Sequence, residues 1–430
     1  MFNKKAIAKT MAVGLAIIVV VAAAAGAFVY QSMTQPMTQP GVTSSSQPSE
    51  GTITIGFIST LTGPTSSTGR SHFQGAELAV HDINNNGGVL GRNMSLIIED
   101  EGGSSAETVS ATSRLIAAHP FAIVGYYFSG DFLAAEPLIV SNKMLTILAE
   151  PNAPSILAPL KNDSSYRYIF QMQTIAGAGA PLIGFIADVV KAKTFISVSE
   201  NYGWARLENQ YVEQQLAAKG IQKLTADYLP ADTADYSTEI AKIASLQPDA
   251  VYVCMSGTND VLFQKQWVQN PTTAKIPIIH IGSGGSEKPS VIRDMIASQP
   301  GAADYDAQAT LGLPNMVKTD KTLAYYSEYQ NAYGEPAALF ADGVVYDSVM
   351  LLAQAIKTAG VLDVNAVISV LETQTYQGVV GTWKFGPDHL GIWEAPQLIP
   401  AVIEYVPSGS TIITNIVWPS QLANGTYVHP

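Results

Sequence analysis

Cysteine, histidine and charge are all scarce in this 430-residue chain, and each shortage removes a class of function. A single cysteine, Cys254, excludes an intrachain disulfide. It sits in the apolar run Val251-Tyr252-Val253-Cys254-Met255, where a thiol packs as a small hydrophobe rather than serving as a nucleophile. Charged residues are only 13% of the chain, and acids outnumber bases, giving a formal net charge of −12. Nucleic acid is thereby excluded as a partner, since its binding needs basic surface to displace counterions. The six histidines are scattered, and His72 and His81 on one predicted helix do not share a face, so no metal site is expected.

Catalytic signatures are missing as well. The chain has no Gly-x-Ser-x-Gly elbow, no phosphate-binding Gly-x-x-x-x-Gly-Lys-Ser/Thr loop and no His-Glu-x-x-His pair. Gly282-Ser283-Gly284 opens like a dinucleotide loop, but its sixth position is Glu287 where glycine is needed. Glu99, Asp100 and Glu101 close a predicted strand and read as a solvated strand end rather than an acid–base or hard-cation set. No catalytic residue and no cofactor is expected, so the chain does not read as an enzyme.

What is present begins with an apolar run. Lys4, Lys5 and Lys9 precede an uncharged stretch from Met11 to Tyr30. At about 1.5 Å per residue, this stretch matches a hydrocarbon core of about 30 Å. The lysines favour a cytoplasmic N-terminus, which puts everything after the run outside the membrane. Residues 1–30 read as an uncleaved anchor or, through Ala25-Gly26-Ala27, as a cleaved signal peptide. No cysteine lies near the run, so a lipoprotein anchor is excluded. Residues 31–50, rich in Gln, Ser, Thr and Pro, are a spacer that cannot bury enough apolar surface to fold. The expected location is extracytoplasmic, tethered to the cell surface or secreted. Asn93, Asn162 and Asn424 head glycosylation triplets, a pattern that also arises by chance.

From Thr52 onward strand and helix patterns alternate. Ile53, Ile55 and Phe57 alternate as a strand, and Phe73, Ala76, Val80 and Ile83 form a helical stripe ended by Asn86-Gly87-Gly88. Strands follow at 96–98, 121–124 and 144–148, with helices near 106–118 and 132–141. The rhythm restarts after the Gly/Ala-rich stretch 175–180. Strands then fit 194–198, 225–228, 250–254 and 276–281, and helices fit 204–218, 238–245 and 260–269. This order predicts an α/β fold with two parallel sheets, each covered by helices on both faces.

Ligands of open parallel sheets bind beyond the carboxyl ends of the strands. That rule selects six loops. They are 59–70 with Thr68, 126–131 with Tyr127, Phe128, Ser129 and Gly130, 149–155 with Glu150 and Asn152, 199–203 with Tyr202, 255–259 with Ser256, and 282–286 with Ser283. Their Gly, Ser, Thr and Asn content, with aromatics including Trp204, suits enclosing a small polar or mixed solute.

The stretch from Ile53 to Glu101 carries Leu61-Thr62-Gly63-Pro64, Gly69, Gly75-Ala76-Glu77-Leu78-Ala79, Asp82-Ile83-Asn84 and Asn86-Gly87-Gly88-Val89-Leu90-Gly91-Arg92. It closely resembles the opening of the type I periplasmic solute-binding proteins of branched-chain amino-acid (Leu/Ile/Val) importers. Fainter likeness continues through Ile123-Val124-Gly125, Tyr202-Gly203, Tyr346-Asp347-Ser348-Val349 and 378–387. The resemblance implies two doubly wound lobes joined by three crossovers, closing by a hinge on a solute. It implies a monomer that delivers its solute to an ABC permease and its ATPase subunits. Lobe one would be 51–173 plus 313–377, and lobe two 174–312 plus 378–430. It also implies that Ser129 helps hold a solute carboxylate and that Tyr202 is the cleft tyrosine. Asn152 would replace the family's threonine at the amino-acid head group. Two departures stand out. Glu150 lies where small residues are usual, and Ile281-Gly282-Ser283-Gly284 lacks the acid that holds an α-ammonium, so either Glu150 supplies that charge or the solute is another small carboxylate, an amide or an aromatic acid.

Overall fold

The computed structural model describes residues 51–430 apart from 64, 231, 284–293, 295–296, 299–300, 302–305, 312–315, 394–397, 399, 409–410 and 430, and without the side chains of 257, 258, 283, 339 and 411. The expected anchor and spacer lie outside the described residues.

The first sheet forms from β1 (Ile53–Ser59), β2 (Met94–Asp100), β3 (Ile123–Gly125), β4 (Thr146–Leu148) and β5 (Ile169–Gln171). All its pairings are parallel, in the order β2-β1-β3-β4-β5. Between these strands run α1 (Ser66–Asn85), α2 (Ser105–Ala117) and α3 (Ser129–Asn142). Apart from the half-buried edge strand β2, the strands bury both faces, which is why their runs are largely apolar instead of alternating cleanly. Ile53, Ile55 and Phe57 enter one core with α1, while Ile58 enters another with Leu115 and Phe132. Ser104 and Glu107 cap α2 reciprocally, the serine Oγ accepting from the Glu107 amide and donating to the Glu107 carboxylate.

The chain then crosses into the second sheet through α4 (Ile175–Gly184), whose start is capped by Thr174 accepting from the Gly177 amide at 3.0 Å. That sheet contains β6 (Thr194–Glu200), β7 (Gln222–Leu229), β8 (Ala250–Ser256), β9 (Ile278–Ser283) and β10 (Ala307–Thr310). Helices α5 (Gly203–Ala218), α6 (Ser237–Leu246) and α7 (Gly257–Trp267) connect these strands. Along β8, Ala250, Tyr252 and Cys254 face one core and Val251, Val253 and Met255 face the other. Cys254 is therefore a packing residue, its thiol fully buried.

The chain returns to the first core through α8 (Thr322–Tyr333), α9 (Val344–Ala359) and α10 (Val364–Leu371). The two-stranded pair β11 (Tyr376–Gln377) and β12 (Thr382–Trp383) follows. Here the fold departs from the expected lobe boundary at 377. Tyr376, Val379, Val380, Trp383, Phe385 and Leu398 all pack in the first core. The cause is Asp347 on α9, which accepts from the amides of Val379 (2.8 Å) and Val380 (3.0 Å) and from Trp383 Nε1 (2.8 Å). Only from Ala401 does the chain rejoin the second sheet. There β13 (Ala401–Ser408) and β14 (Thr411–Trp418) add an antiparallel hairpin at the β10 edge. Among the described residues no single helix is long and apolar enough to cross a membrane.

Candidate functional site

Parallel register sets the site. Ile58 lies beside Gly125, Gly125 beside Leu148 and Leu148 beside Gln171, so the loops leaving β1, β3, β4 and β5 emerge together. In the second sheet Ser199 lies beside Cys254 and Cys254 beside Ile281. Between these loop sets lies a cleft of about 450 Å³, its open mouth included. Tyr127, Phe128, Ser129, Glu150, Asn152 and Gln173 form one wall, Ala178, Trp204, Ile281 and Gly282 the other, and Phe340 closes an end.

The first wall depends on a backbone kink. Gly125 has φ 124°, and a Cβ there would lie 2.2 Å from the Ile58 carbonyl oxygen. Tyr126 follows at φ 63° and turns its ring into the core, where its hydroxyl meets Thr112 Oγ1 at 2.9 Å. Tyr127 and Phe128 are left at the cleft. The Tyr127 amide donates to Glu101 Oε1 at 2.9 Å. Glu101 is thus fully buried, not part of a solvated strand end, and burial, with Asp131 and Asp100 nearby, pushes its carboxyl up to about 8. Its neighbour Asp100 clamps the loop after β1, accepting from the Leu61 amide (2.8 Å) and the Thr62 hydroxyl (2.6 Å). Ser129 Oγ accepts from the Asn152 and Ala153 amides at 3.1 and 3.3 Å.

Glu150 is the carboxylate of this wall. Gln173 Nε2 donates to its Oε2 at 2.7 Å, while Oε1 makes no hydrogen bond. His72 Nε2 lies 3.6 Å from Oε1, too far for a hydrogen bond. Burial drives the two groups in opposite senses, holding His72 down at about 3 and Glu150 well above the usual carboxylate range. His72 is then neutral, so the contact is not an ion pair. Ser59 Oγ meets His72 Nδ1 at 2.8 Å, and the order Ser59–His72–Glu150 looks like a hydrolase triad. It runs the wrong way for one: Ser59 is fully buried, and the cleft end is the glutamate.

Behind the second wall Glu200, at the end of β6, accepts from Trp204 Nε1 (2.9 Å) and from Ser256 Oγ (2.8 Å). Burial raises its carboxyl, with those hydrogen bonds opposing. Trp204 packs on Gly282, where φ is 68° and a Cβ would stand 2.5 Å from the indole. At the rim Phe128 stacks on Tyr202, ring centroids 5.2 Å apart.

Of the residues expected from sequence, Tyr127, Phe128, Ser129, Glu150 and Asn152 stand in the wall, and Tyr202 reaches it by stacking on Phe128. Ser256 lies behind, bonded to Glu200. Two others are not in the wall: Thr68 is buried within α1, and Gly130 is exposed in the first turn of α3. The Ser283 side chain lies outside the described residues. Sequence reasoning missed Gln173, Ala178 and Phe340, which arrive from crossovers, and Glu200, whose signal was an acid inside the 199–203 loop. Outside the cleft, His81, Asp82 and Glu328 bring three ligand atoms within 4.8 Å of one another.

The periplasmic binding protein family model matches residues 52–392. The chain belongs to that family. A leucine-, isoleucine-, valine-, threonine- and alanine-binding protein of Pseudomonas aeruginosa is 24% identical over 78% of this chain and 86% of its own. A Leu/Ile/Val-binding protein of Rhizobium johnstonii is 26% identical over 46% of this chain and 53% of its own, so here the match spans about half of each protein. Solved structures share the fold. The branched-chain amino-acid substrate-binding protein of Streptococcus pneumoniae, in complex with isoleucine, superposes with a TM-score of 0.72 at 20% identity, covering 86% of this chain and 100% of that one. A solute-binding protein from Rhodopseudomonas palustris in complex with 3,4-dihydroxybenzoic acid gives 0.71 at 19% identity, covering 85% and 96%.

Proposed function

We propose that this protein is the solute receptor of an ABC importer. It captures a small solute in the cleft between its two sheets, closes by a hinge, and delivers the solute to a permease driven by an ATPase. A branched-chain or other amino acid is the solute the reading assigns, with an amide, urea or aromatic carboxylate as the alternative. It performs no chemistry on the solute, and residues 11–30 anchor it outside the membrane or direct its export.

The observation that carries the reading is that both sheets contribute groups to one cleft. Phe128 and Glu150 come from the first, and Trp204 and Gly282 from the second. A solute bridging these walls stabilises the closed arrangement through its differential affinity for it. The names of the sequence relatives support amino acids as the solute class.

The test is thermal unfolding of the purified protein against amino acids, short amides, urea, small amines and aromatic carboxylates. A true solute at about 100 times its dissociation constant stabilises the fold by about 2.7 kcal/mol, a readily measured midpoint shift. If no panel member moved the midpoint, the receptor reading would lose its support.

A further inference from the structure

We propose that Glu200 is the positioning residue that sets the size of solute body this cleft admits, by holding the Trp204 indole fixed against Gly282. The inference rests on the receptor reading above and adds to it a residue that determines specificity.

The tether is the first ground. Glu200 is the last residue of β6 and only 2% exposed, and its Oε1 accepts from Trp204 Nε1 at 2.9 Å. An indole has a single donor and turns on two side-chain torsions, so a bond at Nε1 fixes the plane of the ring. The same carboxyl accepts from Ser256 Oγ at 2.8 Å and from the Ser256 amide at 3.3 Å. The indole is thereby tied to the end of β8 and the head of α7, and not only to its own helix.

Ser256 is the second ground. It stands at the head of α7 with extended backbone, φ −111° and ψ 153°, where a serine hydroxyl ordinarily caps the helix. Here the hydroxyl makes no cap and is given to Glu200 instead. A local helix bond is forgone for one that orders the wall of the cleft.

Gly282 is the third ground. Its φ is 68°, and a Cβ there would stand 2.5 Å from the Trp204 ring. The indole fills the space that a side chain at 282 would take, and it faces the cleft. A larger solute body gains room on this side by turning the indole away. That movement breaks the Nε1 bond and leaves a buried acceptor short of a donor, which is costly.

Titration calorimetry on the full-length protein tests this with two pairs of probes, leucine with phenylalanine and benzoate with 2-naphthoate. In Glu200→Ala the preference for the smaller member of a pair that binds should fall at least about fivefold. Acrylamide quenching of the tryptophan fluorescence without solute should rise. Glu200→Gln keeps an acceptor oxygen for the indole and should stay within about twofold of the unaltered preference. In a Trp204→Phe background, which lacks the Nε1 donor, adding Glu200→Ala should change neither readout. Should Glu200→Ala fail to fold, Trp204→Phe alone must lower the preference by the same amount. An unchanged preference in Glu200→Ala, or an equal fall in the Trp204→Phe background, overturns the inference and leaves the receptor reading standing. If neither pair binds, the inference falls, and if the wider panel fails as well the receptor reading falls with it.

Discussion

The ring of Phe128, from the first lobe, lies on the ring of Tyr202, from the second, with planes 24° from parallel. Phe128 stands at the head of α3 and Tyr202 at the head of α5, so one stacked pair joins the loops of two sheets. Aromatic pairs of this kind contribute about 0.5–1.5 kcal/mol beyond the area they bury.

Replacing Tyr202 with alanine should therefore weaken solute binding roughly two- to tenfold. Tyr202 is 39% exposed, so the unfolding midpoint without solute should barely move. Paired calorimetry and thermal melts separate the two effects. Unaltered affinity would remove this stack from the closing mechanism.

Asp347 gives a prediction about stability. Its carboxyl accepts three buried donors and ties the 379–383 segment to α9. Asp347→Ala leaves those donors unmatched, each costing about 1–3 kcal/mol, and should unfold the protein at markedly lower denaturant. Asp347→Asn keeps an acceptor oxygen and should lose less. Equal losses would mean that the segment is held by apolar packing instead.

The pH dependence follows from Glu101. Burial raises its folded-state carboxyl to about 8, with Asp131 and Asp100 adding to the shift and the Tyr127 amide opposing it. Because the folded form holds its proton more tightly than the unfolded chain, its stabilising contribution is complete below about 4.5 and is lost as pH rises to about 8. Glu101→Gln should flatten this part of the stability profile, as read from denaturant midpoints at half-unit pH steps. His72, depressed to about 3, contributes in the opposite sense, losing stability as pH falls from about 6.5. An unchanged slope in the Glu101 variant would place the ionisation elsewhere.

Much of the fold was legible because buried parallel strands are apolar on both faces and their helices carry single stripes. Ile53 to Phe57 and Ala250 to Cys254 could be placed on that basis alone. The short β5 could not, since a three-residue strand has no period, whereas the antiparallel hairpin of β13 and β14 went unread although Gly409-Ser410 between two apolar runs is a hairpin signal. The boundary at 377 was misplaced because side-chain bonds from Asp347, not local propensity, fix the residues beyond it. The site was half legible. Loops at strand ends yielded Phe128, Ser129 and Glu150, but Gln173 and Phe340 reach the cleft through crossovers that no sequence spacing reveals.

Trp204 provides the most direct measurement of the central claim, because its indole forms the second wall and packs on Gly282. The midpoint shift caused by a stabilising solute should be compared in the unaltered protein and in Trp204→Ala. If the solute binds between the lobes and affinity falls a hundredfold, a shift worth about 2.7 kcal/mol shrinks to about 0.4 kcal/mol. A shift of the same size in both proteins would contradict the account, because the solute would then be binding somewhere other than this cleft.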